Sequence, residues 1–579
     1  MSFSAQIQDL LARRQFAAAR PLLERAARGS SDAQVIFTLA RVLLALGERE
    51  PAAYQAQRAI ASASGKPFES QLRVAAGELL QECGKAGEAE KLFRETAARY
   101  PQLPTVRAAW INALRAAGRS GEAGDVALAA LEQFPGDVLL HLIGAGALGE
   151  SLRQSKARDS LLRAVEMGPP DHRVLIPAAT MLHYCDGVDP ELLTRIHRRA
   201  GESLARAAGP AWKPPARTGS GPLRVALVSC DFRDHAVARF LEPWLTGRTR
   251  GEMQVIGVSL LGPADATTER LRGACEEWID ASGKADDEIV RLVREAQADI
   301  AMDLSGLHVT ARPMVFAKRV APVQISYLGY AGTTGLPTMD YRLVDAVTDP
   351  PGAERLSSEK LLRLDGCFLC FGPDARTPEV TSSAERGAIT FCSFNAQQKI
   401  TETTLDLWAG ALKAAPHAKL LLKGRSLSDA RTRAILDASF SSRGIEPARV
   451  EVLAHAPDYA SHLEQYNRAD IALDTSPYCG TTTTCEALAM GVPVVTLAGS
   501  SHAARVGASL LRAAGLGECV ASEAAGFAGV VKAQTDQLGT VSARAEHKRA
   551  ISRRFRASAL CDAEAYADRL HRVLRTVGQ

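Results

Sequence analysis

The sequence has no long apolar run. None of its 579 residues lies in a stretch that approaches the roughly 18 consecutive apolar residues of a membrane-spanning helix. The first residues, Met1 to Asp9, also lack the basic segment and apolar core of a secretory signal. Together these two absences predict a cytoplasmic protein that does not contact a membrane.

A large net charge is absent as well. The chain has 69 basic and 65 acidic residues, which leaves a formal net charge of only +4. No overall field therefore calls for a nucleic acid or an anionic membrane as partner. A small anionic ligand is still compatible with this balance.

The sequence also lacks the usual patterns of a metal site. Its single CxxC motif, Cys367 to Cys370, lies in an apolar run, and no second pair completes a zinc site. The eleven cysteines therefore favour buried thiols in a reducing compartment. No Asp-x-Asp pair occurs, so a divalent metal held between paired carboxylates is not indicated.

A 34-residue repeat is present in residues 1–205. Two series of residues recur at this spacing: Pro101, Pro135 and Pro169, and Ala89, Ala123 and Ala157. Small residues at a helix crossing and a proline after the second helix are typical of tetratricopeptide repeats. Such repeats stack and bind extended peptides, so we expect protein or peptide substrates to bind along them. The alternative is a purely structural helical cap.

The remaining chain predicts two α/β domains. Residues 206–222 are rich in proline and glycine and are interpreted as a linker. Apolar strands then alternate with helical segments over 223–385 and again over 386–579. This alternation predicts a parallel, doubly wound sheet in each domain, with ligands at the carboxyl ends of the strands.

Three loops of the first α/β domain follow predicted strands and carry polar side chains. His235 lies in the first loop, His308 in the second and Thr333 in the third. Since the carboxyl ends of parallel strands share one edge, we expect the three loops to converge. The position of His235 fits a functional residue and a helix-capping or surface histidine equally well.

The second α/β domain has four successive threonines where a helix is predicted to begin. An apolar strand over 471–473 is followed by a turn and then by Thr481 to Thr484. A helix N-terminus leaves N–H groups unpaired and carries about half a positive charge, so it holds phosphate well. One threonine is enough to cap a helix, and four in a row favour phosphate binding over capping alone.

Three charged residues are placed to complete this site. Glu486, one turn into the helix, is positioned to accept hydrogen bonds from ribose hydroxyls. Lys399 lies between a strand and a helix, where an ammonium can meet a diphosphate, although a solvated surface lysine is the commoner case. Arg505 begins the next helix and can support the same anion.

The segment from Gly480 to Gly499 resembles the SPINDLY branch of the O-GlcNAc transferase family. The similarity covers residues 223–520 and includes further motifs, which begin at Asp231, Ala321, Leu328, Met339, Cys367 and Ser393. It implies tetratricopeptide repeats followed by a GT-B fold, in which two Rossmann-like domains face each other across a cleft. It also implies inverting transfer of a sugar from a nucleotide-diphosphate donor to Ser or Thr hydroxyls of proteins, without a cofactor or essential metal.

The resemblance assigns roles to matching positions. Lys399 matches the family's diphosphate lysine, and Glu486 matches its ribose-binding acid. His462 matches a donor-site histidine, and His235 an active-site histidine proposed to assist catalysis. The phosphate-binding threonines correspond to Thr482 and Thr483.

Several positions depart from O-GlcNAc transferases proper. Thr481 stands where those enzymes usually carry histidine, and Ala396 and Gln465 replace nucleotide-contacting residues. These departures follow the SPINDLY pattern and put UDP-GlcNAc in question against GDP-fucose as donor. His308 is one residue later than the expected histidine, and Ala331 replaces a usual proline.

The resemblance places His308 and Thr333 near the acceptor side. The departures there keep two alternatives open. One is a glycosyltransferase that acts on a glycan or small molecule, and the other is an inactive repeat scaffold that retains nucleotide binding.

Overall fold

The computed structural model describes residues 3–215, 221–381, 387–454 and 456–578. Within the first of these ranges lie twelve helices: α1 (Phe3–Ala12), α2 (Phe16–Ala27), α3 (Ala33–Ala45), α4 (Arg49–Ala63), α5 (Glu69–Glu82), α6 (Ala86–Arg99), α7 (Pro104–Ala116), α8 (Ser120–Gln133), α9 (Val138–Glu150), α10 (Gln154–Met167), α11 (His172–Leu182) and α12 (Pro190–Ala208). Helices α1 to α9, with residues 429–432, form one compact unit, and the rest of the chain forms a second.

The 34-residue period corresponds to pairs of helices. Ala89, Ala123 and Ala157 are buried, each at the start of the second helix of a pair. The recurring prolines each follow the end of α6, α8 or α10 by two residues. Proline lacks an N–H and cannot continue a helix, so its spacing sets the length of each pair. The predicted helical repeats are confirmed.

The first sheet lies in the second unit and has seven strands: β1 (Leu223–Ser229), β2 (Met253–Ser259), β3 (Glu277–Asp280), β4 (Ile300–Asp303), β5 (Val323–Ser326), β6 (Tyr341–Asp345) and β7 (Lys360–Leu364). All neighbouring strands are parallel, in the order β3-β2-β1-β4-β5-β6-β7. The helices between them are α13 (Ala236–Gly247), α14 (Ala266–Ala274), α15 (Asp286–Glu295) and α16 (Pro313–Ala317).

Helices cover both faces of this sheet. Strand β1 is apolar at successive positions because its side chains alternate between two cores. Val225 and Leu227 pack with Trp244 of α13, whereas Ala226 and Val228 belong to the core that contains residues of α15 and α16. A sheet buried on both faces is the doubly wound arrangement that the sequence predicts.

The second sheet has six parallel strands: β8 (Thr390–Ser393), β9 (Lys419–Lys423), β10 (Val450–Leu453), β11 (Ile471–Leu473), β12 (Val494–Leu497) and β13 (Val520–Ala521). Their order is β10-β9-β8-β11-β12-β13. The accompanying helices are α17 (Glu402–Ala414), α18 (Ala430–Ser442), α19 (Tyr459–Glu464), α20 (Thr482–Ala489), α21 (Val506–Ala513), α22 (Ala524–Asp536), α23 (Val541–Arg556) and α24 (Ala563–Gly578).

Helix α24 returns to the first sheet. Leu570 and Leu574 are buried in the core that contains Val225 and Leu227, and the Tyr566 hydroxyl lies 2.7 Å from that of Tyr327. Sequence analysis assigns this segment to the second α/β domain. The apolar stripe of a helix shows which face is buried and not which sheet buries it.

Two further expectations from the sequence concern the cysteines and membrane-spanning helices. Among the described residues, all eleven cysteines are free thiols, and Cys367 and Cys370 are buried as expected. No helix in the described part of the chain is both long and apolar enough to cross a membrane.

Candidate functional site

The four threonines lie at the point where the strand order of the second sheet reverses. Strand β8 is followed by β9 on one side, whereas its other neighbour is β11. The loops after β8 and β11 therefore leave the same edge and diverge, which opens the crevice where parallel sheets bind ligands. The first of these loops carries Lys399 and the second carries Thr481.

The N-terminus of α20 is open to a ligand. The helix begins at Thr482, and Thr481 at the N-cap makes no side-chain capping hydrogen bond. Two other threonine hydroxyls are engaged nearby: Thr483 Oγ1 donates to Asn395 Oδ1 at 2.9 Å, and Thr484 Oγ1 donates to the Gly480 carbonyl at 3.0 Å. The interpretation of these residues as caps alone therefore finds no support.

Asp474 holds the loop in this shape. Its carboxylate is 2% exposed and accepts hydrogen bonds from the Gly480 N–H at 2.7 Å and from Thr496 Oγ1 at 2.7 Å. A Cβ atom at Gly480 would lie 2.4 Å from Thr483 Oγ1, so a side chain there would displace the threonine. Sequence analysis did not assign this role to Asp474, because an acid after a strand has many uses.

Lys399 is partly buried and faces the threonine loop. It ends a single turn of 3₁₀-helix over Gln397–Lys399, and its Nζ donates to the Cys479 carbonyl at 2.9 Å. Nζ also lies 4.4 Å from the centroid of the Tyr478 ring. Burial lowers the pKa of the amine to about 8, and Asp474 opposes this effect. The alternative of a solvated surface lysine does not describe this residue.

Glu486 and His462 come together beside the loop. His462 Nε2 lies 3.0 Å from Glu486 Oε2, and the Glu486 side chain is almost fully buried. Lys423, at the end of β9, contacts His462 Nδ1, and burial lowers the pKa of its amine to about 8. Sequence analysis missed Lys423. The available signal was its position at the strand edge that carries Lys399.

Arg505 occupies a different position from the one expected. Its Nε donates to the Val347 carbonyl at 2.6 Å, and its Nη1 donates to the Gly499 carbonyl at 3.0 Å. Val347 follows β6 of the first sheet. The guanidinium thus joins the two α/β domains, and these contacts do not direct it toward the threonines.

In the first sheet the order reverses between β1 and β4, and the loops after these strands meet there. The Cys230 N–H donates to Ser305 Oγ at 3.0 Å, and Gly306 packs tightly against Tyr330 of the loop that follows β5. The predicted convergence of three loops is confirmed.

His235 combines the two interpretations of its position. It is the N-cap of α13, and its Nδ1 accepts the Val237 N–H at 3.3 Å. Its side chain also remains 38% exposed. Burial lowers its pKa below the ordinary histidine value, which favours the neutral ring. Asp231 Oδ1, 3.6 Å from Nδ1, is buried and has no hydrogen-bond partner among the described residues.

Of the other two residues expected at the acceptor side, His308 is exposed and Thr333 is buried. His308 Nδ1 lies 3.1 Å from Thr310 Oγ1. The Thr333 hydroxyl donates to Glu359 Oε2 at 2.5 Å and accepts the Ser358 N–H at 3.0 Å. Thr333 therefore fixes its own loop and does not present a hydroxyl to a ligand.

The helices that carry the two histidines meet. The Arg239 guanidinium of α13 lies 3.9 Å from the centroid of the Tyr459 ring, which begins α19. His235 is the N-cap of α13 and His462 lies in α19, so this contact joins the elements that carry the two histidines. This contact was not predicted.

Within the described residues, no three His, Cys, Asp or Glu side chains are grouped so as to hold a metal ion. A reaction without metal stays a prediction.

Comparisons with known proteins agree with this geometry. The model of glycosyl transferase family 41 matches residues 208–377 and 378–570. The chain is 36% identical over 362 residues to the probable UDP-N-acetylglucosamine–peptide N-acetylglucosaminyltransferase SPINDLY of Arabidopsis thaliana, a match that covers 62% of this chain and 39% of that protein. The protein of the same name from Oryza sativa subsp. japonica is 35% identical over 404 residues, covering 68% of this chain and 43% of the relative.

A solved structure supports the same relationship. A mutant O-GlcNAc transferase of Thermobaculum terrenum superposes with a TM-score of 0.77 at 31% identity, covering 88% of this chain and 98% of that one. The resemblance to SPINDLY and the predicted GT-B fold are thereby confirmed. The chain spans about two fifths of the length of the curated relatives it matches. With more than half of its residues matched by the family model, the chain belongs to glycosyl transferase family 41.

Proposed function

We propose that this protein is an inverting O-glycosyltransferase that moves a sugar from a nucleotide-diphosphate donor to Ser or Thr hydroxyls of polypeptides. The observation that carries the proposal is the contact of Lys399 with the loop that leads into the uncapped N-terminus of α20, at the switch point of the second sheet. Relatives that are 35–36% identical are named peptide N-acetylglucosaminyltransferases, which supports the same reaction class.

The donor side supplies positive charge where the leaving group gains negative charge. As the acceptor hydroxyl attacks the anomeric carbon, the bond to the diphosphate breaks. The Lys399 ammonium and the N–H groups of Thr482 and Thr483 stabilise the departing diphosphate, because they are already oriented and partly shielded from water. Glu486, held by His462, accepts hydrogen bonds from the ribose hydroxyls.

On the acceptor side, His235 assists removal of the hydroxyl proton. With Nδ1 accepting the Val237 N–H, the neutral ring carries its proton on Nε2. To act as a base through Nε2, the ring needs its proton on Nδ1 instead. Asp231 Oδ1, which has no hydrogen-bond partner among the described residues and lies 3.6 Å from Nδ1, is the acceptor that would hold that tautomer. His308 lies on the same open edge.

Two donors are compatible with the site. The names of the relatives favour UDP-GlcNAc. Thr481, in the position where O-GlcNAc transferases proper usually carry histidine, favours GDP-fucose. The proposal includes neither a metal ion nor a cofactor. It also retains the expected cytoplasmic location.

Polypeptide acceptors are proposed to bind along the repeats. In the first unit, a groove of about 830 Å³ is lined by residues of α3, α5 and the chain that follows α3. Phe37, Leu44 and Leu79 give it apolar contacts, while Arg41 and Glu78 give it charges of both signs. A groove of mixed character suits an extended peptide.

Calorimetry with GDP, UDP, GDP-fucose and UDP-GlcNAc tests the proposal. We expect one nucleotide pair to bind, and the preferred donor to label polypeptides of a lysate in a mass-spectrometric assay. Transfer only to saccharides or small molecules would identify a different acceptor class. Nucleotide binding without turnover on any acceptor would indicate an inactive scaffold, and binding of none of the four would reject the donor site.

A further inference from the structure

The connection between α11 and α12, residues 183–189 of the second unit, contacts the proposed donor site. It carries Tyr184, whose ring stacks on the ring of Tyr478 with centroids 4.8 Å apart and an interplanar angle of 22°. Tyr478 lies in the loop between β11 and α20, three residues before Thr481. An aromatic side chain of the helical region therefore packs against the loop that bears the threonines.

The same Tyr478 ring contacts the donor-site lysine. Lys399 Nζ lies 4.4 Å from its centroid. A cation above an aromatic face is attracted by the negative charge of that face, and the attraction depends on the ring being held face-on. The orientation of the ring depends on the side chains packed against it, which include His183, edge-on with centroids 6.4 Å apart. Tyr184 supplies a stacked partner for that packing.

The connection is itself anchored beside Lys399. Asp186 Oδ2 accepts the Thr403 N–H at 2.9 Å, in the first turn of α17. Gln154 Nε2, at the start of α10, donates to the Gln398 carbonyl at 2.5 Å. Contacts from α10 and from the connection between α11 and α12 therefore involve the residue before Lys399, the helix after it and the loop that contains Tyr478.

We propose that Tyr184 is a positioning residue for the donor site, which holds the Tyr478 ring against the Lys399 ammonium and so orients the amine toward the donor diphosphate. The role rests on the proposed function of Lys399 as the diphosphate lysine. It makes the helices that precede the first sheet in the second unit, α10 to α12, part of the nucleotide site. A rearrangement of the connection between α11 and α12 would then change donor affinity.

A double-mutant cycle on the full chain tests this role. Tyr184→Leu removes the stacked ring, and we expect about 10-fold weaker binding of GDP or UDP by calorimetry, the size of a partly shielded cation–π contact. Tyr184→Phe keeps the ring and should retain the affinity. In the Lys399→Ala background, Tyr184→Leu should have no further effect, because the group on which it acts is gone.

Two results would overturn the proposal in this cycle. One is an equal loss of affinity from Tyr184→Leu with and without Lys399, and the other is the same loss from Tyr100→Leu, a matched tyrosine of the first unit. Thermal unfolding of each variant identifies a loss that comes from misfolding.

An NMR titration of the Lys399 amine after ¹³C-methylation gives a readout that does not need a nucleotide. Because burial is the main cause of the low Lys399 pKa, opening the stack to water should raise that pKa in Tyr184→Leu and leave it unchanged in Tyr184→Phe. Should the wild-type protein bind neither GDP nor UDP, the proposed function fails. An unaltered Lys399 pKa in Tyr184→Leu would instead overturn the role of Tyr184.

Discussion

The two α/β domains have the same kind of switch point but hold their loop residues differently. In the second domain, Asp474 receives hydrogen bonds on both oxygens, and Lys399 and Glu486 are fixed by direct contacts. In the first domain, His235 is partly exposed, and the buried Oδ1 of Asp231 has no hydrogen-bond partner among the described residues. The half proposed to bind the donor is preorganised, whereas the half proposed to bind the acceptor is more open.

This difference matches the chemistry proposed for the two halves. A leaving diphosphate gains charge in the transition state, and oriented donors stabilise it without reorganisation cost. An acceptor side chain varies between polypeptides, so an open face with few fixed contacts admits many of them. Variants in both domains should therefore lower kcat, but only variants of the second domain should also weaken the binding of the nucleotide.

The largest expected effect comes from Lys399→Ala in the preorganised half. Removing one oriented donor of this kind typically costs about 10²–10³ in rate, and we expect a decrease of that size in kcat of sugar transfer. The matched control is Lys413→Ala, an exposed lysine of α17, which should leave kcat unchanged. Near-normal turnover of Lys399→Ala with the preferred donor would exclude the assigned role.

A smaller effect is expected from His235→Ala in the open half. Loss of a general base costs about 10²-fold in kcat, while the affinity for the nucleoside diphosphate should not change, because His235 contacts Val237 and Asp231 of its own domain. His417→Ala, an exposed histidine before β9, is the control. A parallel loss of nucleotide affinity in His235→Ala would show that the two halves are not independent.

Local patterns in the sequence predicted the parts of this fold that repeat or alternate. The prolines and alanines at 34-residue spacing placed the helix pairs, because each residue type has a fixed position in the pair. Four threonines after an apolar strand located the open N-terminus of α20, because strand end and helix start are both visible locally. The same strand-to-helix pattern predicted that Lys399, which follows β8, lies at the carboxyl edge of the second sheet.

Contacts between elements distant in sequence were not predictable in this way. Arg505 begins a helix near the threonines, yet it donates to a carbonyl of the other domain. Thr333 lies in a converging loop, but Glu359 draws its hydroxyl inward. Lys423 and Tyr184 are remote in sequence from the site they touch. In each case the partner is set by tertiary packing, which leaves no periodic signal in the chain.

The smallest effect, a pH dependence, separates the two halves most sharply. Burial lowers the pKa of Lys399 to about 8, so this amine loses its charge as the pH rises through 8, well below the ordinary lysine pKa of 10.5. Binding of the nucleoside diphosphate should weaken by about 10-fold between pH 7 and pH 9, as expected for the loss of one charge–charge contact of ~1.4 kcal/mol. In Lys399→Ala this change should disappear, since the titrating group is absent.

His235 titrates in the opposite range: its pKa lies below the ordinary histidine value, so its protonation impairs turnover only on the acid side. Calorimetry from pH 6 to pH 9 on the wild type and Lys399→Ala measures the first effect, and initial rates of sugar transfer over the same range on the wild type and His235→Ala measure the second. A basic limb that persists in Lys399→Ala would assign the titration to another group, with Lys423 as the first to examine because its pKa is also lowered to about 8.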